Sequence, residues 1–364
     1  MRKKTIFFVT GRLGKTLVYT KVLPFIKTGY FSNVLIFSEN AGFEINGAKY
    51  IEIPKIFKNL KIFRNILIRL YEPIQLLMYS IKYHPDYING IYTIPKGLNA
   101  FIVSKLTKSK SIISVIGGNV EIDTKNILIK KLNLFMLKHC DIITTKGNNI
   151  TNFLVSLGIK KEKIFEFPGY VDTNLFNYKQ EINKDIDIIF VGTFRKLKGP
   201  DRIVMMVNDL KKYFPNIKAE LLGEGYLYQT VKELIYNLNL ENNVFLRGYR
   251  NDTYQFFQRS KIVVMPSRSE GLPMAMLEAM SCGCVPVVSN VGNVTDAAID
   301  GVNSFVIDNY LDIESFVEKI KYLLENDEIR NQMAKNASEI IMINFSLLPQ
   351  TEIAKKIIEY GETL

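Results

Sequence analysis

The sequence predicts an α/β fold of two doubly wound, parallel-sheet domains with a cleft between them. Three observations carry this expectation. The chain has 364 residues, enough for about two domains. Strand-like apolar runs alternate with helix-length segments in both halves, the pattern of parallel sheets covered on both faces. The alternation pauses near residues 172–184 and then restarts.

In the first half TIFFV (5–9), NVLIF (33–37), YING (87–90), SIISVIG (111–117) and DIITT (141–145) read as strands. Residues 97–106 and 125–139 read as helices between them. In the second half DIDIIFVG (185–192) leads into a helix from about Pro200, and KAELLG (218–223) into one at 226–238. NVFLRG (243–248), KIVVMP (261–266) and VPVVSN (285–290) continue the series. Ligands of open α/β sheets bind beyond the carboxyl ends of the strands, so the loops that follow strands are the segments to search.

The turn after the first strand, VTGRLGKTL (9–17), contains Gly-Lys-Thr. It is not a triphosphate-binding loop, because Gly11 lies too close to Gly14 for the backbone to wrap a phosphate pair. Composition narrows the class further. A hydrophobic content of 47% suits a folded globular protein. No run reaches the roughly 18 apolar residues of a membrane span, and the N-terminal apolar run is too short for a signal peptide. Three sparse cysteines, Cys140, Cys282 and Cys284, point to a reducing compartment and hence to the cytoplasm. The spacing of Cys282 and Cys284 lacks the second ligand pair of a metal site, and no metal is expected.

Charge is unevenly placed. Residues 1–172 hold 26 Lys and Arg against 11 Asp and Glu, and residues 173–364 hold 21 against 25. A basic first half suits an anionic partner, with nucleic acid and an anionic membrane both in play. No nucleic-acid reader motif and no aromatic stacking ribbon accompany the basic residues, which argues against nucleic acid.

The most informative segment is SRSEGLPMAMLEAMSCGCVPVVSN (267–290). Pro273 suits the first turn of a helix and Gly283 its end. Glu270 and Gly271 then stand at the helix mouth, and Glu278 about one and a half turns inside it. Unpaired amides at a helix start suit a phosphate group, and Gly271 lets it approach the backbone. A carboxylate at Glu278 suits a ribose diol, and one at Glu270 suits the hydroxyls of whatever the phosphate carries. Taken alone, two glutamates are more simply solvated surface residues; the surrounding string changes the balance.

That string, Glu270-x7-Glu278 with Pro-Ser before it and Gly-x-x-Pro-Val-Val after it, resembles the signature of family 4 glycosyltransferases. PGYVDTNLF (168–176), FVGTFRKLKG (190–199), LLGEGY (221–226) and NVFLRGY (243–249) are similar to further motifs of that family, in the same order. The resemblance implies a GT-B fold of two facing Rossmann-like domains. It implies an acceptor-binding domain at 1–172 completed by a C-terminal helix at about 346–364, and a nucleotide-sugar-binding domain at 173–345. It also implies a retaining, metal-independent hexosyl transfer from a nucleotide-diphosphate sugar, the co-substrate, to a glycan or lipid-linked acceptor of cell-surface polysaccharide or glycolipid synthesis.

The resemblance further implies that Lys198 contacts the donor diphosphate and Glu270 the transferred sugar. Glu278 would hold the ribose, Gly271 and Leu272 would offer amides, and Gly192, Gly223 and Arg250 would line the donor pocket. The family's loop arginine is absent: Thr193 takes its place and Arg195 is the nearest substitute. Gly11, Gly14 and Arg12 would face the cleft. The family's histidine after SIISVIGG is replaced near Gly118, with Glu121 the nearest polar candidate. These departures leave a non-catalytic relative as an alternative; a sugar-nucleotide epimerase, which can share the GT-B fold, is a second, and the Glu270-x7-Glu278 loop argues against it.

Residues 55–82 carry apolar residues at Ile56, Leu60, Phe63, Leu67, Leu70, Ile74, Leu77 and Ile81, a helical stripe flanked by Lys58, Lys61, Arg64 and Arg69. An ordinary core-facing helix explains this spacing. A helix lying on the anionic inner face of the cell membrane explains both the spacing and the charge.

Overall fold

The computed structural model describes residues 4–11, 14–39, 43–54, 64–116 and 126–364. The chain divides into two compact units, Met1–Tyr170 with Leu347–Leu364, and Val171–Ser346.

The first unit is built on β1 (Thr5–Gly11), β2 (Asn33–Ser38), β3 (Lys49–Glu52), β4 (Tyr87–Ile91), β5 (Lys110–Val115), β6 (Ile142–Thr145) and β7 (Ile164–Glu166). Their spatial order is β3-β2-β1-β4-β5-β6-β7, and every pairing is parallel. β1 is buried along its whole length, which its unbroken apolar run permits. Alternate residues serve opposite faces. Ile6 and Phe8 join Val18, Val22 and Phe25 of α1 (Lys15–Lys27). Phe7 and Val9 join Leu76 of α2 (Arg64–Tyr83) and Ala100 and Val103 of α3 (Leu98–Thr107). Further along that face, α3 meets α4 (Ile127–His139) through Phe101 and Met136, with α5 (Asn148–Ser156) beyond.

The second unit holds β8 (Ile186–Val191), β9 (Ala219–Leu222), β10 (Val244–Gly248), β11 (Ser260–Met265), β12 (Val285–Ser289) and β13 (Phe305–Ile307), in the order β10-β9-β8-β11-β12-β13, again all parallel. Its helices are α6 (Pro200–Leu210), α7 (Tyr228–Asn237), α8 (Thr253–Gln258), α9 (Met274–Ser281), α10 (Ile313–Glu325) and α11 (Asp327–Asn344). α6 illustrates the local logic. Gly199 turns the chain at φ +67°, Pro200 fixes the first helical residue, and Asp201 complements the positive helix end. Ile203, Val204, Met206, Val207 and Leu210 then recur on one face and are buried.

After α11 the chain returns to the first unit as α12 (Leu347–Glu362). Ala354 and Ile357 are fully buried against the α1 side of the sheet. The Tyr87 hydroxyl donates to Ile358 O at 3.1 Å, and Gly361 leaves room for the Tyr87 ring.

The stripe expected on residues 55–82 differs in phase. Residues 55–63 lie outside the described residues. In α2 the buried positions are Ile68, Glu72, Gln75, Leu76 and Ser80, while Leu70, Ile74 and Ile81 are exposed. Of the three polar residues on that buried side, Glu72 and Gln75 find partners there. Glu72 meets Lys96, and Gln75 Nε2 donates to Glu52 O at 3.0 Å.

Candidate functional site

In the second sheet the chain proceeds from β8 outward to β10, then returns to place β11 on the other side of β8. The loops after β8 and β11 therefore flank the point where strand order reverses, the usual ligand position in such sheets. They also bind each other. Arg268 N donates to Leu197 O at 2.8 Å, and the Arg202 guanidinium donates to Pro266 O at 2.6 and 3.2 Å. Across this seam the Lys198 ammonium donates to both carboxylate oxygens of Glu270 at 2.6 Å. The Glu270 side chain is 6% exposed and that of Lys198 23%, so the pair sits in a half-shielded recess.

Two glycines allow the neighbouring loops to close in. A Cβ on Gly223, at φ +139°, would stand 1.8 Å from Gly192 O. One on Gly292, at φ +61°, would stand 2.1 Å from Glu270 O. Asn293 N then donates to Gly271 O at 2.8 Å, which anchors the loop that carries Glu270. Gly192 itself donates to Leu222 O at 3.0 Å.

Pro273 is the N-cap of α9, in extended conformation, one position before the helical turn expected for it. Leu272 is 2% exposed and packs with Met276 and Met280, fixing the helix entry. Among the described residues the amides of Gly271 and Leu272 donate to no protein acceptor, and the first-turn amides of α9 point the same way by helix geometry. Gly283, at φ +72°, ends the helix and donates to Met280 O at 2.9 Å.

Glu278, the fifth residue of α9, is half-buried, and its carboxylate accepts no hydrogen bond among the described residues. Burial raises its carboxyl to about 7. The site thus holds one glutamate already engaged by a cation and another without a partner.

The other sequence candidates are placed as follows. Arg195 is exposed, and its carbonyl accepts from Lys198 N at 2.9 Å while its guanidinium has no protein partner among the described residues. Arg250 grips Asp252 at 2.8 and 2.6 Å on the surface, which leaves its main chain as the part free to serve a ligand. In the first unit, Gly11 at φ +63° lies where a Cβ would stand 2.4 Å from the Lys96 Cε. Gly14 is the N-cap of α1 with open space around its Cα. Arg12, Gly118 and Glu121 lie outside the described residues.

The sequence reading missed one cluster beside Gly11. Lys96 Nζ donates to both Glu72 oxygens at 2.7 Å and lies 3.9 Å from Glu39, and Asn99 adds a bond to Glu72 at 3.2 Å. These residues gather where β1 and β4 adjoin, the order-reversal point of the first sheet. Tyr92, at φ +71° and ψ +164°, holds a conformation almost confined to glycine at the end of β4. The available signal was Glu72, the one acidic residue in the apolar stretch 64–83.

Residues 172–340 match the family model for glycosyl transferases group 1. An uncharacterised glycosyltransferase of Methanocaldococcus jannaschii is 26% identical over 257 residues, 70% of each chain. The UDP-Gal:alpha-D-GlcNAc-diphosphoundecaprenol alpha-1,3-galactosyltransferase of Escherichia coli is 24% identical over 327 residues, 83% of this chain and 81% of that protein. Among solved structures, Anabaena HepE in complex with UDP has a TM-score of 0.78 at 16% identity, covering 99% of this chain and all of that one. HepE has also been solved with UDP-glucose, at a TM-score of 0.76. The family match lies within the second unit, the named relatives are glycosyltransferases and the two-sheet architecture is shared with GT-B structures, so the chain is a glycosyltransferase enzyme of GT-B fold whose second unit matches the group 1 glycosyl transferases.

Proposed function

We propose that the protein moves a sugar from a nucleotide-diphosphate sugar to a glycan or lipid-linked acceptor, with retention of anomeric configuration. The observation that supports this most is the Lys198–Glu270 pair beside the open amides of Gly271 and Leu272. A donor diphosphate seated on those amides competes with Glu270 for the Lys198 ammonium. As Lys198 turns to the diphosphate, the Glu270 carboxylate is released to accept hydroxyls of the sugar. Glu278, which lacks a partner, accepts the ribose diol. Arg195 adds charge at the diphosphate, and the backbone near Gly192, Gly223 and Arg250 lines the nucleotide.

In the reaction the bond from the anomeric carbon to the diphosphate breaks, and its electron pair goes to the leaving oxygen. The acceptor oxygen bonds the anomeric carbon on the same face and passes its proton to a diphosphate oxygen. Lys198 and the helix-mouth amides stabilise the charge that grows there, a contribution usually near 3–4 kcal/mol for such a donor. Lys198, Arg195 and the helix-mouth amides supply positive charge for the leaving diphosphate, so transfer is expected to proceed in the presence of a chelator. HepE binds UDP and UDP-glucose, which makes uridine donors the first to try. The diphosphoundecaprenol acceptor named for the E. coli relative supports a lipid-linked acceptor at the cytoplasmic membrane face in polysaccharide or glycolipid synthesis.

The test is sugar transfer by purified protein, with the product anomer read by NMR. Lys198→Ala should lower kcat/KM roughly 100- to 1,000-fold. Wild-type turnover in that variant, or an inverted product, would overturn the proposal.

A further inference from the structure

α2, α3 and α4 lie side by side over one face of the first sheet, joined by the Leu76, Ala100 and Val103 contacts and by the Phe101–Phe135 pair at 6.4 Å. Their inner sides are core. Their outer sides are apolar as well, which a solvated helix has no reason to be. On α2 the exposed residues Ile66, Leu70, Ile74, Met78 and Ile81 recur at helical spacing. α3 adds Ile102 and Leu106, and α4 adds Leu128, Leu132 and Phe135. Leu128 is 73% exposed and Leu70 63%, so these are outward-pointing side chains rather than edges of the core. A patch spread over three adjacent helices exceeds the scattered apolar exposure of an ordinary surface.

Its charge is one-sided. Among the described residues of the three helices Glu72 is the one acid, and it is buried against Lys96. Arg69 and Lys82 on α2, and Lys131 and Lys138 on α4, are exposed and stand three or four residues from the apolar positions. Lys105 of α3 is paired with Asp141 just past α4, and a second copy docked by this face would bring those four cations against one another with no exposed acid on the described residues of the three helices.

We infer that this three-helix face seats the protein on an anionic lipid bilayer, with the apolar side chains in the headgroup–acyl boundary and the four cations among the phosphates. The placement extends and corrects the single-stripe expectation from residues 55–82. It also bears on the acceptor. The three helices run antiparallel to the strands they connect, so their N-terminal ends lie at the edge where the strands' carboxyl ends and Gly11 gather. A lipid-linked acceptor in that bilayer would enter beside this edge, a consequence that rests on the proposed glycosyl transfer. Docking itself does not rest on it.

The experiment is flotation of the full chain with phosphatidylcholine vesicles, with and without phosphatidylglycerol, in the absence of donor and acceptor. The wild type should float with the anionic vesicles and release at high salt. Neutralising Arg69, Lys82, Lys131 and Lys138 to Gln should reduce partitioning about fivefold per cation. The set Leu70→Gln, Ile74→Gln and Leu128→Gln should reduce it at least tenfold, roughly what lost burial of even one such side chain gives. Unchanged unfolding midpoints in both sets would confirm that folding is intact. Failure of the folded wild type to float overturns the inference. So does equal flotation of the folded variants, or a concentration-dependent dimer abolished by Leu70→Gln. Flotation without sugar transfer would leave this inference standing and count only against the proposed function.

Discussion

Glu278 sets two opposed expectations at the scale of a single side chain. Its carboxyl is raised by burial from the ordinary 4.5 to about 7. The folded protein therefore holds that proton more tightly than the unfolded chain, and stability falls as pH rises from about 4.5 to 7. The penalty is fully present above pH 7 and is on the order of 3 kcal/mol. Glu278→Gln removes the ionisation, so its unfolding midpoint should exceed the wild type's above pH 7 and match it below pH 4.5. Donor binding should move the other way. The proposed ribose contact needs the carboxylate, so the donor KM should rise as pH falls through about 7. In Glu278→Gln that pH dependence should vanish and KM should be raised about tenfold, the loss of one hydrogen bond to a charged group. A variant no more stable at high pH would show that the carboxyl is not held neutral by burial. The identity and spacing of Glu270 and Glu278 were legible because a helix start has a strong local pattern. That Lys198 holds Glu270 in the free protein was not, since the partners are 72 residues apart and meet only through sheet topology.

At the scale of elements, the central strands were readable because burial on both faces writes a continuous apolar run. β3, β7 and β13 were not anticipated. Each is an edge strand of three or four residues with mostly partial burial, so little sequence signal is required of it. α2 was readable as a helix but not in phase. Apolar residues occur on both its sides, and its buried side includes Glu72 and Gln75, which periodicity counts as outward. The loops of the second sheet carry an element-scale prediction. Gly292→Ala forces a Cβ into the Glu270 carbonyl at a positive φ, so the Glu270 loop must shift. Unfolding free energy should drop by about 1–2 kcal/mol, as for non-glycine residues in such conformations. Sugar transfer should fall more steeply than that loss of stability explains. Urea unfolding and kinetics on the same sample distinguish the two, and normal turnover would mean that the loop tolerates displacement.

At the scale of the whole molecule, the chain leaves its first unit after Tyr170 and re-enters it at Leu347. The sequence showed two rounds of alternation, and the family resemblance implied that the last helix completes the first unit; no local pattern encodes that, because it depends on long-range packing. α12 supplies Ala354 and Ile357 to the first core and an acceptor for the Tyr87 hydroxyl. Deleting residues 347–364 should therefore make the first unit protease-sensitive while Val171–Ser346 keeps a cooperative transition; equal resistance of both would contradict that ownership. Charge is also divided at this scale, with the basic excess confined to residues 1–172. That division agrees with an anionic surface meeting the first unit.

The most direct measurement is thermal unfolding of the wild type and of a Lys198→Ala/Glu278→Gln variant against a panel of nucleotide-diphosphate sugars. One donor at a hundred times its Kd should stabilise the wild type by about 2.7 kcal/mol and raise its midpoint by several degrees. The same donor should stabilise the variant by no more than about half as much. An equal rise in both would put the donor elsewhere and contradict the site described at the mouth of α9.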